Sequence, residues 1–188
     1  QPQTFCSGGQ TTLVAPSSSV GGATFTWTAI GSVNTNGFTP SGSGNIPAQI
    51  INYTGVTQGT VTYTIIPTAN SCPGAPLDFV VTVYPIPTVV ANPILDSICS
   101  GTQTNISLSS NVAASTFSWS VNQPASVTGA TAGTGNSIKQ TLTNTSSAAQ
   151  QVTYTVTPSI NNCPGTPIVF TVWVYPGITV SFSPSHQF

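Results

Sequence analysis

Apolar and polar side chains alternate with period two along most of this chain. Phe25, Trp27 and Ala29 alternate with Thr24, Thr26 and Thr28, and Val61, Tyr63 and Ile65 with Thr62 and Thr64. Phe79, Val81 and Val83 alternate in turn with Val80, Thr82 and Tyr84. Successive side chains of a strand point to opposite faces, so each run reads as a half-buried strand. Clusters of Gly, Pro, Asn and Ser separate the runs where turns are needed. No segment carries the 3.6-residue period of a helix. The pattern predicts an all-β protein.

The strands recur. Val61-Thr-Tyr-Thr-Ile-Ile-Pro67 returns as Val152-Thr-Tyr-Thr-Val-Thr-Pro158, and Cys72-Pro-Gly-Ala-Pro76 as Cys163-Pro-Gly-Thr-Pro167. Cys6-Ser-Gly8 matches Cys99-Ser-Gly101, Phe25-Thr-Trp27 matches Phe117-Ser-Trp119, and Gly42-Ser-Gly-Asn45 matches Gly133-Thr-Gly-Asn136. The offset is 93 residues at Cys6 and 91 at Cys72, so two single-residue gaps align the copies. Tyr84-Pro85 closes the first unit and Tyr175-Pro176 the second. The expected organisation is one module over residues 1–85, a second over 86–176, and a linker over 177–188 that resembles the one before Cys99. The chain thus reads as two consecutive units of a longer array. Six or seven short strands in about 90 residues, with a Trp on an early central strand, suit a β-sandwich of immunoglobulin type.

Composition narrows the partners. Charged residues are 2% of the 188-residue chain: one Lys or Arg and two Asp or Glu. An ordinary soluble domain carries roughly 25%. Thr, Ser, Asn, Gln and Gly replace the ions, while 38% of residues are hydrophobic, enough to build a core. Without Lys and Arg the chain cannot neutralise phosphates, which excludes nucleic acid and anionic membranes as partners. The longest apolar run, Leu77 to Val83, is strand-sized and broken by Asp78, so no membrane insertion is expected. Near-zero net charge opposes self-association only weakly.

The four cysteines fall in pairs at matching places, one pair per module. Zinc would want close pairs such as C-x-x-C, and none exists. The expectation is one disulfide per module, Cys6–Cys72 and Cys99–Cys163, in an oxidising compartment. Each would close a loop of about 65 residues and contribute roughly 4 kcal/mol. A plain sandwich places the two cysteines of a module at opposite ends, so this pairing requires the segment before Cys6 and Cys99 to cross the module's end. The alternative, Cys72–Cys99, would staple neighbouring modules.

Together, Ile98-Cys-Ser-Gly101, the strand ending at Trp119, Gly135-Asn136, Val152-Thr-Tyr-Thr-Val-Thr-Pro158 and Asn162-Cys-Pro-Gly165 resemble the PKD-like repeats of Bacteroidota surface proteins. The resemblance spans nearly the whole chain. It implies an immunoglobulin-like fold and a role as spacer or adhesive stalk, as in giant gliding-motility adhesins and other type IX secretion cargo. True PKD domains carry a W-x-F-G-D-G-like stretch; here Trp27 is followed by Thr-Ala-Ile-Gly. The same context makes Asp96-Ser97-Ile98 a candidate O-glycosylation motif at Ser97. N-x-S/T strings at Asn52, Asn105 and Asn144 are expected by chance in so Asn-, Ser- and Thr-rich a chain.

No site for chemistry emerges. Beyond cysteines and tyrosines the titratable groups are Asp78, Asp96, Lys139 and His186, scattered over a strand, a linker, module two and the tail. General acid–base catalysis needs a positioned pair, and calcium needs several carboxylates. The expectation is no enzyme, no cofactor and no metal. T-x-T pairs such as Thr62/Thr64 and Thr153/Thr155 could present an ice- or glycan-binding face, although Thr also simply suits a solvated strand. On the last strand of module two, Val169, Thr171, Trp173 and Tyr175 share the outward face, whereas module one has Asp78, Val80, Thr82 and Tyr84 there. That face is a candidate protein contact. The expected function is that of a non-catalytic stalk or filament segment of an exported cell-surface adhesin. Its expected partners are neighbouring repeats, other copies in a filament, or surface glycans. The alternatives are a carbohydrate- or ice-binding module and a self-assembling filament subunit.

Overall fold

Every run with period-two alternation forms a strand in the computed structural model, which describes residues 2–178 and 180. His186 and most of the expected linker lie outside the described residues. In repeat one the strands are β1 (Gln3–Cys6), β2 (Gly9–Gln10), β3 (Thr24–Gly31), β4 (Thr35–Asn36), β5 (Ser41–Ser43), β6 (Ile50–Tyr53), β7 (Gly59–Ala69), β8 (Cys72–Pro73) and β9 (Leu77–Tyr84). Repeat two adds β10 (Val90–Asn92), β11 (Leu95–Cys99), β12 (Thr102–Gln103), β13 (Ile106–Ser109), β14 (Thr116–Asn122), β15 (Val127–Thr128) and β16 (Gly133–Thr134). It ends with β17 (Ser137–Ile138), β18 (Thr141–Asn144), β19 (Gln150–Ile160), β20 (Cys163–Pro164) and β21 (Ile168–Tyr175).

Both repeats share one topology. The larger sheet of repeat one runs β1-β9-β7-β3-β5, with β8 folded back on β7, and β2-β6-β4 forms the second sheet. Repeat two runs β11-β21-β19-β14-β16 with β20 on β19, complemented by β12-β18-β15 and β10-β13-β17. The strand carrying the first cysteine lies parallel to the last in each, β1 on β9 and β11 on β21, while β7–β9 and β19–β21 pair antiparallel. This is an immunoglobulin-like sandwich, all-β as the alternation requires. By Cα proximity the chain divides into two compact units. The first holds the chain up to Thr88 with Asn111–Ser115 and Ser159–Gly165, and the second holds Val89–Ser110, Thr116–Pro158 and the chain from Thr166 on. The tip of the β19–β20 hairpin therefore belongs with the first unit.

Inward positions build a separate core in each unit. Trp27, Tyr63, Val61 and Val81 are buried in the first; Trp119, Tyr154, Val152 and Val172 take the same places in the second. Gly42 and Gly133 are required by these tryptophans, because a Cβ on either glycine would run into the indole of Trp27 or Trp119. A polar bridge also recurs inside the sandwich. The Tyr63 hydroxyl donates to Gln49 Oε1 at 3.2 Å, and the backbone N–H of Gln49 donates to Thr11 Oγ1 at 2.8 Å. Tyr154, Gln140 and Thr104 repeat it at 2.8 and 2.9 Å. The bridges satisfy the tyrosine hydroxyls, but Gln140 Nε2 is also paired, with Thr131, whereas Gln49 Nε2 is buried without a partner.

Candidate functional site

The cysteines are placed by the ends of the long strands. In register, Cys6 stands opposite Tyr84 at the end of β9, next to the start of β7, while Cys72 stands opposite Ala69 at the other end of β7. The strand β7 has 11 residues, which at about 3.3 Å per residue separates its ends by roughly 33 Å. A disulfide needs Cα atoms within about 7 Å. The same geometry parts Cys99, opposite Tyr175, from Cys163, opposite Ile160. The expected pairs Cys6–Cys72 and Cys99–Cys163 are therefore corrected. The bond formed is Cys6–Cys163, with Cα atoms 5.4 Å apart and 157 residues between them in sequence. Cys72 and Cys99 are exposed free thiols, and the alternative Cys72–Cys99 bond is not formed either.

Local chemistry positions the bonded thiol. Asn161 and Asn162 both have positive φ (46° and 64°), the left-handed conformation of a two-residue hairpin turn, for which Asn is suited. That turn sets Cys163 across from Ile160 at the hairpin tip, buried. Asn70 and Ser71 make the equivalent turn before Cys72.

The two repeats differ at one place in their cores. In repeat two the segment entering the module supplies Val89 (6% exposed) and Ala91 (4%) to the apolar cluster that contains Leu108, Phe117 and Phe170. Strand β10 pairs with β13 there, Ala91 opposite Leu108. The residues at the matching distance before Cys6 would precede residue 1, so this sequence holds no counterpart of Val89 and Ala91. An open groove of 560 Å³ takes its place, lined by Val14, Phe25, Ile65, Leu77 and Phe79 among others. The counterparts Phe117 and Phe170 are buried, whereas Phe25 and Phe79 are only half-buried.

The outward residues lie where alternation put them. Val169 is 60% exposed, Trp173 41% and Tyr175 51%, with Thr171 half-buried. Trp173 stands between Gln151 of β19 and Ser97 of β11, and Tyr175 stands beside Cys99. Ser97 is exposed, and its amide N–H donates to Asp96 Oδ1 at 2.9 Å. Asn144 is buried: its Nδ2 donates to the carbonyls of Ala148 and Val174, both at 2.8 Å. Thr62, Thr64, Thr153 and Thr155 face outward and half-buried, and Thr64 Oγ1 donates to Asp78 Oδ1 at 2.7 Å. Lys139 is exposed. Among the described residues no three His, Cys, Asp or Glu side chains gather as metal ligands would. No helix there is long and apolar enough to cross a membrane. Burial raises the pKa of Tyr63, and it raises that of Tyr154 to about 12. Both hydroxyls serve the internal bridges. The groove, the bond from Cys6 to Cys163 and the difference between equivalent thiols were not anticipated from sequence.

Among solved structures, the chain is similar to the one described as "Crystal structure of DIP-gamma IG1+IG2", at 11% identity and a TM-score of 0.42, covering 95% of this chain and 94% of that one. It is also similar to "Crystal structure of Dscam1 isoform 6.9, N-terminal four Ig domains", at 14% identity and a TM-score of 0.36, covering 94% of this chain and 43% of that one. No curated protein matches it. The model of the PKD-like domain matches residues 3–87 and again 96–178. With both matches together covering most of its length, the chain belongs to the PKD-like domain family, as two tandem copies of the domain.

Proposed function

We propose that this chain is a non-catalytic, load-bearing segment of an extracellular stalk, in a bacterial cell-surface adhesin of the Bacteroidota type, built from modules bounded near residues 1–85 and 86–176. The observation that carries the reading is the bond between Cys6 and Cys163. Tension entering at the N-terminal side crosses directly from Cys6 to Cys163, so the chain between them bears none of it. A bond that spans 157 residues is suited to holding length under load, and it implies an oxidising compartment outside the cytoplasm. The uncharged surface suits this role too, since few ion pairs exist for changing salt to weaken.

Single-molecule stretching between the chain ends tests the proposal. With the bond closed, the enclosed residues stay hidden. After reduction, unfolding should release roughly 530 Å more contour length, at about 3.4 Å for each of the 157 residues. Equal extension with and without reductant would sink the load-bearing reading. A second reading, a contact surface for another protein or a glycan, is favoured by the partly exposed Trp173 beside the exposed Ser97. In this reading Val169, Thr171, Trp173 and Tyr175 dock a partner that the Thr-bearing face of repeat one does not.

A further inference from the structure

In repeat two, Cys163 is the counterpart of Cys72; in repeat one, Cys6 is the counterpart of Cys99. The bond that forms thus joins the first cysteine of one repeat to the second cysteine of the repeat that follows it. The two cysteines left over are one of each kind, Cys99 a first and Cys72 a second, and both are exposed. We propose that Cys99 and Cys72 are the complementary halves of this same joint, each made to bond a further repeat of the same kind, so that Cys99 of one copy takes Cys72 of the next. The proposal deepens the stalk reading and rests on it for the oxidising surroundings.

Two independent features match the halves to each other. The first is the thiols' setting. Cys99 stands in register with Tyr175 as Cys6 does with Tyr84, and Cys72 follows the positive-φ turn Asn70-Ser71 as Cys163 follows Asn161-Asn162. The second is the groove of repeat one. In repeat two the corresponding apolar place is covered by Val89 and Ala91, which come just after Tyr84-Pro85. In the sequence Thr179-Val180 follows Tyr175-Pro176 at the same distance as Thr88-Val89 follows Tyr84-Pro85. In the proposed joint the copy supplying Cys99 offers Val180, 80% exposed, to the groove of the other copy beside Leu77, which is 68% exposed.

The bond forms by thiol–disulfide exchange with a disulfide oxidant such as oxidised glutathione. The Cys99 thiolate displaces one glutathione thiolate and forms a mixed disulfide. The Cys72 thiolate of the second copy then attacks the Cys99 sulfur and expels the other. One S–S bond forms between chains, the glutathione S–S bond breaks, and its two sulfurs leave as thiols carrying two electrons and the two protein protons.

Full-length chains carrying Cys72→Ser or Cys99→Ser, each retaining Cys6–Cys163, provide the test in glutathione redox buffer on non-reducing gels. Either variant alone should stay largely monomeric, while an equimolar mixture should form one reducible dimer at least about ten-fold faster. Peptide mapping should recover Cys99 of one chain bonded to Cys72 of the other, with Cys6–Cys163 intact in both. Leu77→Asp in the copy supplying Cys72 should slow the dimer about ten-fold; an unchanged rate would remove the groove from the joint. Homodimers forming as fast as the mixed dimer would mark ordinary surface thiols and overturn the proposal. So would a Cys72–Cys99 bridge inside wild-type monomers, or no dimer in the mixture. Pairing is read without load, so a failed joint leaves the tension test of Cys6–Cys163 to stand or fall separately.

Discussion

Replacing Tyr154 by Phe should lower the stability of the second unit at neutral pH and raise it, relative to wild type, in strong alkali. The Tyr154 hydroxyl lies inside the sandwich, donating to Gln140 Oε1 at 2.8 Å, with its ring stacked on Phe170 at 5.5 Å between centroids. Removing it leaves Gln140 Oε1 with the Thr131 amide N–H, at 3.2 Å, and costs about 1 kcal/mol. The pH dependence follows from burial, which lifts the pKa from 10.0 to about 12. The unfolded chain ionises near pH 10, while the folded chain holds its proton to about pH 12. The contribution is therefore fully present below pH 10 and declines as pH rises to about 12. The loss across that range is on the order of 3 kcal/mol. The Phe variant has no such slope, so the two stability curves should cross near pH 11. Urea unfolding at a series of pH values checks this, with fluorotryptophan NMR resolving Trp119 as the reporter of the second unit. Parallel curves for the two proteins above pH 10 would refute the reasoning. Between about pH 5 and 9 the two curves should run parallel, because the buried tyrosines ionise only at higher pH.

Gly42→Ala should destabilise the first unit by roughly 2–3 kcal/mol, because its Cβ enters the Trp27 indole, while Gly21→Ala, with open space around it, should change stability by less than about 0.5 kcal/mol; thermal melts decide, and equal effects would contradict the packing. Val89→Asp should cost the second unit about 3 kcal/mol or more, since it places a carboxylate among Leu108, Phe117 and Phe170; a small effect would show that β10 does not seal that core. Trp173→Thr copies the residue of repeat one and should leave the melt within about 0.5 kcal/mol while weakening binding of a partner or of a second copy in sedimentation; unchanged association would end the contact reading.

The fold was legible because its determinants are local. Alternation at Phe25-Thr-Trp27 and Val61-Thr-Tyr63 marks which face of each strand is buried, and self-comparison shows that the same pattern is used twice. The outward placement of Val169, Trp173 and Tyr175 followed from the same rule. The disulfide did not follow, because matched placement within a repeat says which cysteines are equivalent and not which are neighbours. Strand direction carried the missing information: eleven residues of β7 and of β19 lie between the two cysteines of each repeat, and sequence alone gave only the warning that they sit at opposite ends. The groove was hidden for a related reason. Val89 and Ala91 look like linker residues, and only their pairing with β13 reveals that the segment before a module completes that module's core.

Completion of a core by the segment entering it acquires further meaning in a chain with nearly no charge. A module whose core is completed by the segment entering it, and whose thiol pairs outside its own repeat, is an unfinished object by itself. In the proposed joint, the apolar groove of repeat one and the exposed thiols of Cys72 and Cys99 are the parts to be completed. An ionic surface would give orientation from a distance, through fields that salt screens over about 10 Å. This chain has almost none, so the proposed joint would select its neighbour at contact, by apolar fit and by a covalent bond. Thr and Ser on the outer faces keep the sheets wetted without charge, so that the groove and the thiols are the features able to tell one end of a repeat from the other. Equivalent thiols differ in the structure: Cys163 is bonded to Cys6 and buried, whereas Cys72 is exposed. The difference lies in the neighbour and not in the local sequence, since Cys-Pro-Gly after a positive-φ turn is common to both.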